Sequence, residues 1–173
     1  MLGLDRGEIR IVPSTDVWPG LFEEEKGKLE HVIGRHVISI EHVGSTSVPG
    51  LSAKPILDIA IAVEDFDEAR VTIDPIVELC YVYRGEYGIP RRHFFVNGEP
   101  RTHHIHMNEI TSPDWGNLVL FRDYLRTHPE ASAEYQALKQ SLITFPGMDR
   151  TGYQDGKASF IQQTIERARA EMK

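Results

Sequence analysis

The stretch from Gly44 to Val63 reads GSTSVPGLSAKPILDIAIAV, a polar loop followed by an apolar segment that carries one carboxylate. The segment Pro55–Val63 is rich in isoleucine and predicts a strand. Because side chains alternate across a strand, one face is uniformly large and apolar, and Asp58 shares the other face with small alanines. We expect the apolar face to pack against helices and the small residues to leave space for a ligand beside Asp58. A structural carboxylate that caps a nearby loop is an equally good interpretation.

The loop at residues 44–50 combines two glycines, three hydroxyl side chains and a proline. Backbone N–H groups and hydroxyls in such a loop can form a concavity that binds anions, so Gly44, Ser45 and Ser47 are candidate phosphate ligands. A plain turn between two strands is the commoner role of such a composition. Lys54 follows, and the next proline holds its backbone extended. Its ammonium group either faces the same ligand as the strand carboxylate or is simply solvated.

A second strand is predicted at Arg101–Met107, which contains three histidines. The alternation places His104 and His106 on one face, and if the intervening apolar residues face the helices, both imidazoles point the same way as Asp58. Two imidazoles and a carboxylate suit a divalent ion such as Zn²⁺, Mn²⁺ or Fe²⁺, and a histidine alone can serve as a general base. Histidines with this spacing are equally common in strands that bind no metal.

Two more cations are candidate phosphate ligands. Arg92 stands in a basic run that precedes a pair of phenylalanines. Lys157 falls in the first turn of a helix predicted at Gly156–Met172, with Asp155 as its N-cap. A cation near a helix N-terminus is unfavourable by itself, but it fits if an anion binds to the free N–H groups there. A solvated lysine is the alternative.

The remaining pattern alternates helices with strands. It predicts one α/β (α+β) domain over residues 1–173, with a mixed sheet backed by helices on one face and a helical C-terminal part. The other predicted helices are Leu21–Ile33, Phe66–Leu79, Pro113–Arg126 and Pro129–Thr144. The other predicted strands are His36–His42, Tyr81–Tyr87 and His93–Val96, the last forming a hairpin with the histidine strand around Asn97-Gly98.

The net charge of −7 argues against a nucleic-acid partner, which requires a basic face, but it allows a small phosphate-containing ligand held by a few cations. The longest apolar stretch, Pro55–Val63, is too short to span a bilayer, so we expect no membrane partner. The single cysteine, Cys80, excludes an internal disulfide and predicts a buried thiol. Together with an N-terminus that has no apolar leader pattern, it leads us to expect a cytoplasmic protein.

Several stretches, in order along nearly the whole chain, resemble the GrpB family. They are Trp18-Pro19, Ile40–Leu51, Ala53–Ile59, Gly85–Pro90, Arg92–Phe95, Arg101–His106, Phe121–Arg126 and Tyr153–Lys157. The most specific are the Gly-Ser-Thr-Ser-Val-Pro-Gly loop and the Lys-Pro-Ile-Leu-Asp-Ile block that follows it. The resemblance implies a nucleotidyltransferase-like fold, in which a glycine–serine signature precedes a strand with a catalytic-type carboxylate.

Active nucleotidyltransferases carry two acids separated by one apolar residue, and these acids hold two Mg²⁺ ions that position and polarise a nucleoside triphosphate. The sequence Asp58-Ile59-Ala60 keeps the first acid and has alanine at the second position. Either His104 and His106 supply other ligands, or the chemistry differs, or the domain only binds a nucleotide-like ligand.

Three functions are compatible with these residues. The first is a nucleotidyltransferase-like enzyme that uses a nucleoside triphosphate, a small acceptor and a divalent metal (Mg²⁺ or Mn²⁺, or else Zn²⁺), with Asp58, Lys54 and His106 as catalytic residues. The second is a non-catalytic module that binds a nucleotide or phosphate. The third is a hydrolase with a single metal ion bound by Asp58, His104 and His106.

Overall fold

A computed structural model describes residues 1–172, which form five α-helices and five strands. The strands are β1 (Ser39–Val43), β2 (Leu57–Val63), β3 (Tyr81–Tyr83), β4 (Arg92–Asn97) and β5 (His103–Glu109). The α-helices are α1 (Val17–Ile33), α2 (Ile73–Glu78), α3 (Pro113–Thr127), α4 (Pro129–Thr144) and α5 (Arg150–Glu171). None of these helices combines the length and the apolar composition that crossing a membrane requires.

The five strands form one mixed sheet in the order β1-β2-β5-β4-β3, which confirms the predicted fold class. The pair β2 and β5 is parallel, and the other neighbours are antiparallel. The hairpin predicted around Asn97-Gly98 is present as β4 and β5. In the parallel pair, Asp58 lies opposite His104 and Ala60 lies opposite His106. The register therefore brings the carboxylate strand and the histidine strand side by side.

One face of the sheet carries the main hydrophobic core, as the alternation on β2 predicts. Leu57, Ile59 and Ile61 are fully buried there and cluster with side chains of α1, including Phe22 and Leu29. Burying a side chain of this size contributes about 1.5 to 3 kcal/mol, so this face fixes which way β2 is oriented. Asp58 and the alanines consequently face the other side of the sheet.

That other face is also covered, which corrects the expectation of helices on one face only. Ala60 and Ala62 are fully buried in a cluster with Trp115 of α3. Their small side chains let the indole ring lie close to the strand. The helix α3 therefore fills the space over Ala60 and Ala62, whereas a cavity borders Asp58 itself.

The last helix begins at Arg150, six residues before the predicted start. Its N-cap is Asp149, whose carboxylate accepts a first-turn backbone N–H at 2.7 Å, and not Asp155. Gly156 lies inside the helix, where an added Cβ would come 2.5 Å from Leu142 of α4. The glycine at the predicted start of the helix thus allows α4 and α5 to pack closely. Lys157 lies about two turns inside α5, so the helix-terminus argument for it is wrong.

Two local predictions between β2 and β4 also change. The predicted helix Phe66–Leu79 is a 3₁₀ turn, Glu68–Thr72, followed by the short α2, and the predicted strand Tyr81–Tyr87 ends at Tyr83. Cys80 is exposed, so the prediction of a buried thiol is wrong. Its backbone has φ of 68° between α2 and β3, and this left-handed turn is what ends the helix.

Candidate functional site

The carboxylate of Asp58 meets the imidazoles of His104 and His106 where β2 and β5 run side by side. Asp58 Oδ1 lies 3.1 Å from His104 Nδ1 and 3.3 Å from His106 Nε2. His104 is directly opposite Asp58 in the parallel register, and His106 reaches it past the small side chain of Ala60. All three ionisable side chains are partly buried. The structure thus brings together the three residues that the strand patterns placed on one face.

Hydrogen bonding keeps Asp58 ionised in this cluster. Burial alone raises the pKa of Asp58, but the hydrogen bonds from His104 and His106 outweigh it and leave the pKa of this carboxyl below its usual value. Burial lowers the pKa of His106, and the neighbouring carboxylate offsets this only in part. The cluster near neutral pH therefore contains an ionised Asp58 and a neutral His106 ring.

The second nitrogen of each imidazole determines which atoms can donate. His106 Nδ1 lies 3.4 Å from a guanidinium nitrogen of Arg92. Because a guanidinium group only donates, Nδ1 accepts, and the proton of the neutral ring is on Nε2, which faces Asp58. His104 Nε2 is buried and has no hydrogen-bond partner in residues 1–172. Each ring can thus donate to Asp58 through the nitrogen that faces it.

The same donor set fits a divalent cation. One ligand atom from each of Asp58, His104 and His106 lies within 4.8 Å of the others. Two imidazoles with a carboxylate suit Zn²⁺ or Mn²⁺, whereas Mg²⁺ prefers oxygen ligands. A metal binds the deprotonated nitrogen, so His106 would have to give up the proton on Nε2. The Arg92 guanidinium opposes transfer of that proton to Nδ1 and so acts against metal binding.

Gly44 is the backbone neighbour of the carboxylate. It precedes a 3₁₀ turn, Ser45–Ser47, and has φ of 71°. A Cβ at this position would lie 2.7 Å from Asp58 Oδ2. The Ser47 hydroxyl closes the turn by donating to the Gly44 carbonyl at 2.6 Å. The loop therefore approaches Asp58 itself, which explains the glycine.

A cavity of about 190 Å³ opens beside the cluster. It is lined by Asp58, His104 and His106, and by Ser45 of the 3₁₀ turn. Its other walls come from the N-terminal segment 4–8, the loop before β2, α4 and the beginning of α5. The basic residues that line it are Arg6, Lys54, Arg101, Lys139, Arg150 and Lys157. Its acidic lining residues are Asp5, Glu8 and Asp58, so a protein with a net negative charge has a cavity with a predominantly cationic wall.

Three lysines of this wall come from distant parts of the chain. The ammonium nitrogens of Lys54 and Lys157 lie 4.2 and 4.4 Å from the ring centroid of Tyr153. Lys139 of α4 is only 2% exposed. Its ammonium group donates to Ser45 Oγ at 3.1 Å and to a backbone oxygen further along the same loop. Lys139 therefore joins α4 to the loop that contacts the carboxylate.

The charges of the wall repel one another. Burial, followed by repulsion from Arg150, lowers the pKa of Lys54 to about 8. Burial and Lys54 lower the pKa of Lys157 to about 8, and burial and Lys157 lower the pKa of Lys139 to about 7. Within residues 1–172, none of the six basic residues that line the cavity forms an ion pair with a carboxylate. An anion in the cavity would relieve this repulsion.

Comparison with known proteins identifies the family of the chain. The family model described as GrpB protein matches residues 8–167. The chain belongs to the GrpB family. It is 32% identical to the glutamate-rich protein GrpB of Alkalihalophilus pseudofirmus, over 95% of this chain and 98% of that protein. It is 37% identical to the UPF0157 protein YqkA of Bacillus subtilis over 94% of this chain, and it spans about half (48%) of that relative.

A solved GrpB structure has the same fold. The crystal structure of conserved protein GrpB from Enterococcus faecalis matches with a TM-score of 0.87 and 30% sequence identity. The match covers 94% of this chain and 99% of that one. The GrpB family and the α/β fold that the sequence predicts are therefore confirmed.

Only some of the predicted site residues of this GrpB chain line the cavity. Ser45, Lys54 and Lys157 line the cavity together with the Asp–His–His cluster. Arg92 is buried, and its guanidinium group donates to backbone oxygens of the loop before β4 and contacts the His106 ring. The hydrogen bonds of Arg92 are made to other protein atoms, so Arg92 contacts the cluster but does not line the cavity. Gly44 and Ser47 shape the loop and are not among the residues that line the cavity.

The sequence patterns do not single out several cavity residues of this GrpB chain, among them Arg6, Arg101, Lys139, Arg150 and Tyr153. Lys139 has one signal, since it lies one helical turn after the buried Tyr135 on the inner face of α4, an unusual place for a lysine. Arg150 and Tyr153 precede the predicted start of the last helix, so the sequence pattern assigns them no direction. Their position depends on how α5 docks.

Proposed function

We propose that this GrpB-family chain is a metal-dependent enzyme that transfers a phosphoryl-type group, most simply a nucleotidyl group from a nucleoside triphosphate to a small acceptor. One observation supports this above the others: a carboxylate–imidazole cluster and a wall of unpaired cations line the same cavity. The wall suits the phosphates of a substrate, and the cluster suits the reacting group next to them.

The cationic wall would bind and orient the phosphates. Charge-assisted hydrogen bonds from lysine or arginine to phosphate are about twice as strong as neutral ones. Lys54 and Lys157 are fixed on one ring and Lys139 is fixed on Ser45, so their positions are set before a ligand arrives. Groups that are already in place need little reorganisation during the reaction, which is the condition for strong electrostatic stabilisation.

The cluster of Asp58, His104 and His106 would form the reacting end of the site. A divalent cation held by Asp58 and His104, and by His106 once its Nε2 has lost its proton, would polarise the phosphoryl group. The two imidazoles favour Mn²⁺ or Zn²⁺ over Mg²⁺ for this role. Asp58 stays ionised in this environment, so it can hold the cation.

Release of pyrophosphate tests the proposal. The protein is incubated with each nucleoside triphosphate, a panel of small hydroxyl acceptors, and Mn²⁺, Zn²⁺ or Mg²⁺. We expect pyrophosphate with Mn²⁺ or Zn²⁺, and a rate lower by about 100-fold or more for Asp58→Asn. The exposed Asp74→Asn is the matched control and should keep the wild-type rate. Absence of both pyrophosphate and nucleoside diphosphate with every metal, from protein that binds the nucleotide, would refute group transfer. Release of inorganic phosphate instead would assign the single-metal hydrolase.

A non-catalytic phosphate-binding module is the second candidate, and Ala60 favours it. Ala60 stands where active nucleotidyltransferases have a second acid, and it is fully buried in the cluster with Trp115. In that case nucleoside triphosphates would raise the melting temperature without any product. Lys157→Met would abolish the thermal shift, whereas Asp58→Asn would retain it.

A further inference from the structure

Tyr153 connects two of the unpaired lysines of the cavity. It is the fourth residue of α5 and is 1% exposed. The ammonium nitrogen of Lys54 lies 4.2 Å from its ring centroid and that of Lys157 lies 4.4 Å from it. Lys54 comes from the loop before β2, and Lys157 comes from the next turn of α5. One buried ring thus joins two like charges from separate parts of the fold.

These two lysines need a partner that holds them together. Both are partly buried, and repulsion from Lys54 contributes to the low pKa of Lys157. The face of an aromatic ring carries partial negative charge and attracts an ammonium group within about 6 Å of its centroid. Lys139 has the same type of contact, 4.8 Å from the ring centroid of Tyr135. All three lysines of the wall therefore lie on aromatic rings, and within residues 1–172 none of them forms an ion pair with a carboxylate.

The choice of ring over carboxylate has an electrostatic consequence. A carboxylate between Lys54 and Lys157 would hold both side chains but would also neutralise one of their charges. A ring has no net charge, so it fixes the two ammonium groups and leaves their full charge available to an anion in the cavity.

We propose that Tyr153 is a positioning residue for anion binding, whose ring holds Lys54 and Lys157 in place against the cavity. The inference rests on the proposed function, because it assumes that the cavity binds phosphates. It adds the residue that arranges the two cations and the physical means by which it does so. The ring, and not the hydroxyl group, carries this role.

Calorimetric titration with inorganic triphosphate near pH 7 tests the role of the ring. Tyr153→Phe keeps the ring and should bind within about twofold of wild type, whereas Tyr153→Leu should bind about tenfold more weakly. The comparison is then repeated in a Lys157→Met background, where one of the two contacts is already gone. There the loss caused by Tyr153→Leu should fall to about threefold. Circular dichroism and melting temperature verify that each variant is folded, and Tyr153→Met replaces the leucine variant if that one does not fold.

The outcomes separate a positioning role from a structural one. Equal losses for the phenylalanine and leucine variants would overturn the inference, because the hydroxyl group would then be responsible. An undiminished loss in the Lys157→Met background would also overturn it, because the ring would then act on the fold and not through the lysines. If Lys54→Met and Lys157→Met weaken binding but Tyr153→Leu does not, this inference fails and the proposed function stands. If the wild type binds no triphosphate, both fail.

Discussion

Lys139 is a buried lysine without a carboxylate partner in residues 1–172, and replacing it by methionine tests the electrostatics of the cavity wall. In the folded protein, burial and then Lys157 lower the pKa of Lys139 from 10.5 to about 7. In the unfolded chain the ammonium group titrates near its usual value. The unfolded state therefore binds more protons between these two values, so this lysine makes the protein more stable as the pH rises through that interval.

The two pKa values give the size of the effect. A pKa of about 7 in place of 10.5 corresponds to on the order of 5 kcal/mol between the two ends of the interval. Raising the pH from about 7 to about 9.5 recovers about 3 kcal/mol of this. Lys139→Met removes the titrating group. Its free energy of unfolding should therefore rise by about 3 kcal/mol less than that of the wild type over the same interval.

Urea unfolding followed by circular dichroism at several pH values between about 7 and 9.5 measures this difference. The interval stops there because burial raises the pKa of Tyr81 and Tyr135, and ionisation of these tyrosines in the unfolded chain would lower stability at higher pH. Lys26→Met, which removes a partly exposed lysine of α1 that pairs with Glu30, is the matched control and should follow the wild-type curve. If the free energy of unfolding of Lys139→Met and wild type changed in parallel with pH, the buried ammonium group would keep its charge without cost. The argument that the cavity binds an anion would then fail.

Three further predictions concern the loop, the strand and the ligand. Gly44→Ala should lower the free energy of unfolding by about 2 to 3 kcal/mol more than Gly50→Ala in urea titrations, because both have positive φ but the added Cβ contacts Asp58 only at position 44. Ala60→Asp should not create a second metal ligand, and it should destabilise the protein by several kcal/mol because its carboxylate would be buried; calorimetry of unfolding and of Mn²⁺ binding would both report this. Affinity for inorganic triphosphate should fall by about tenfold or more between about pH 7 and 9.5, because Lys54 and Lys157, each with a pKa of about 8, lose their charge. An affinity that does not change with pH in calorimetric titration would contradict this.

The two strands of the site show what local sequence patterns predict and what they do not. Alternation on β2 predicts that Ile59 and Ile61 are buried and that Asp58 faces the other way, and both predictions hold because the pleat of a strand leaves no other arrangement. The same rule pairs His104 with His106. The rule does not predict that these strands are parallel neighbours, or that Asp58 lies opposite His104.

The wall of the cavity is harder to predict from local sequence patterns. Lys139 contacts Ser45 across 94 positions of the chain, and the rings that hold the lysines belong to two helices at the C-terminal end. The sequence misplaces the start of α5 because Asp155 resembles an N-cap, whereas Gly156 lies inside the helix and lets Leu142 approach closely. Such a contact is visible only once α4 and α5 are packed together.

The sequence alone determines the family, the chemical types available for the site and the face of each strand from which they project. These features follow from the backbone geometry of neighbouring residues and from motifs that are contiguous in the chain. The tertiary structure decides that Asp58 is shared by two imidazoles, that Trp115 covers Ala60, and that lysines from three segments surround one cavity. These features depend on strand register and helix docking, which are set by many small burial energies summed over the whole chain and not by any one stretch of it.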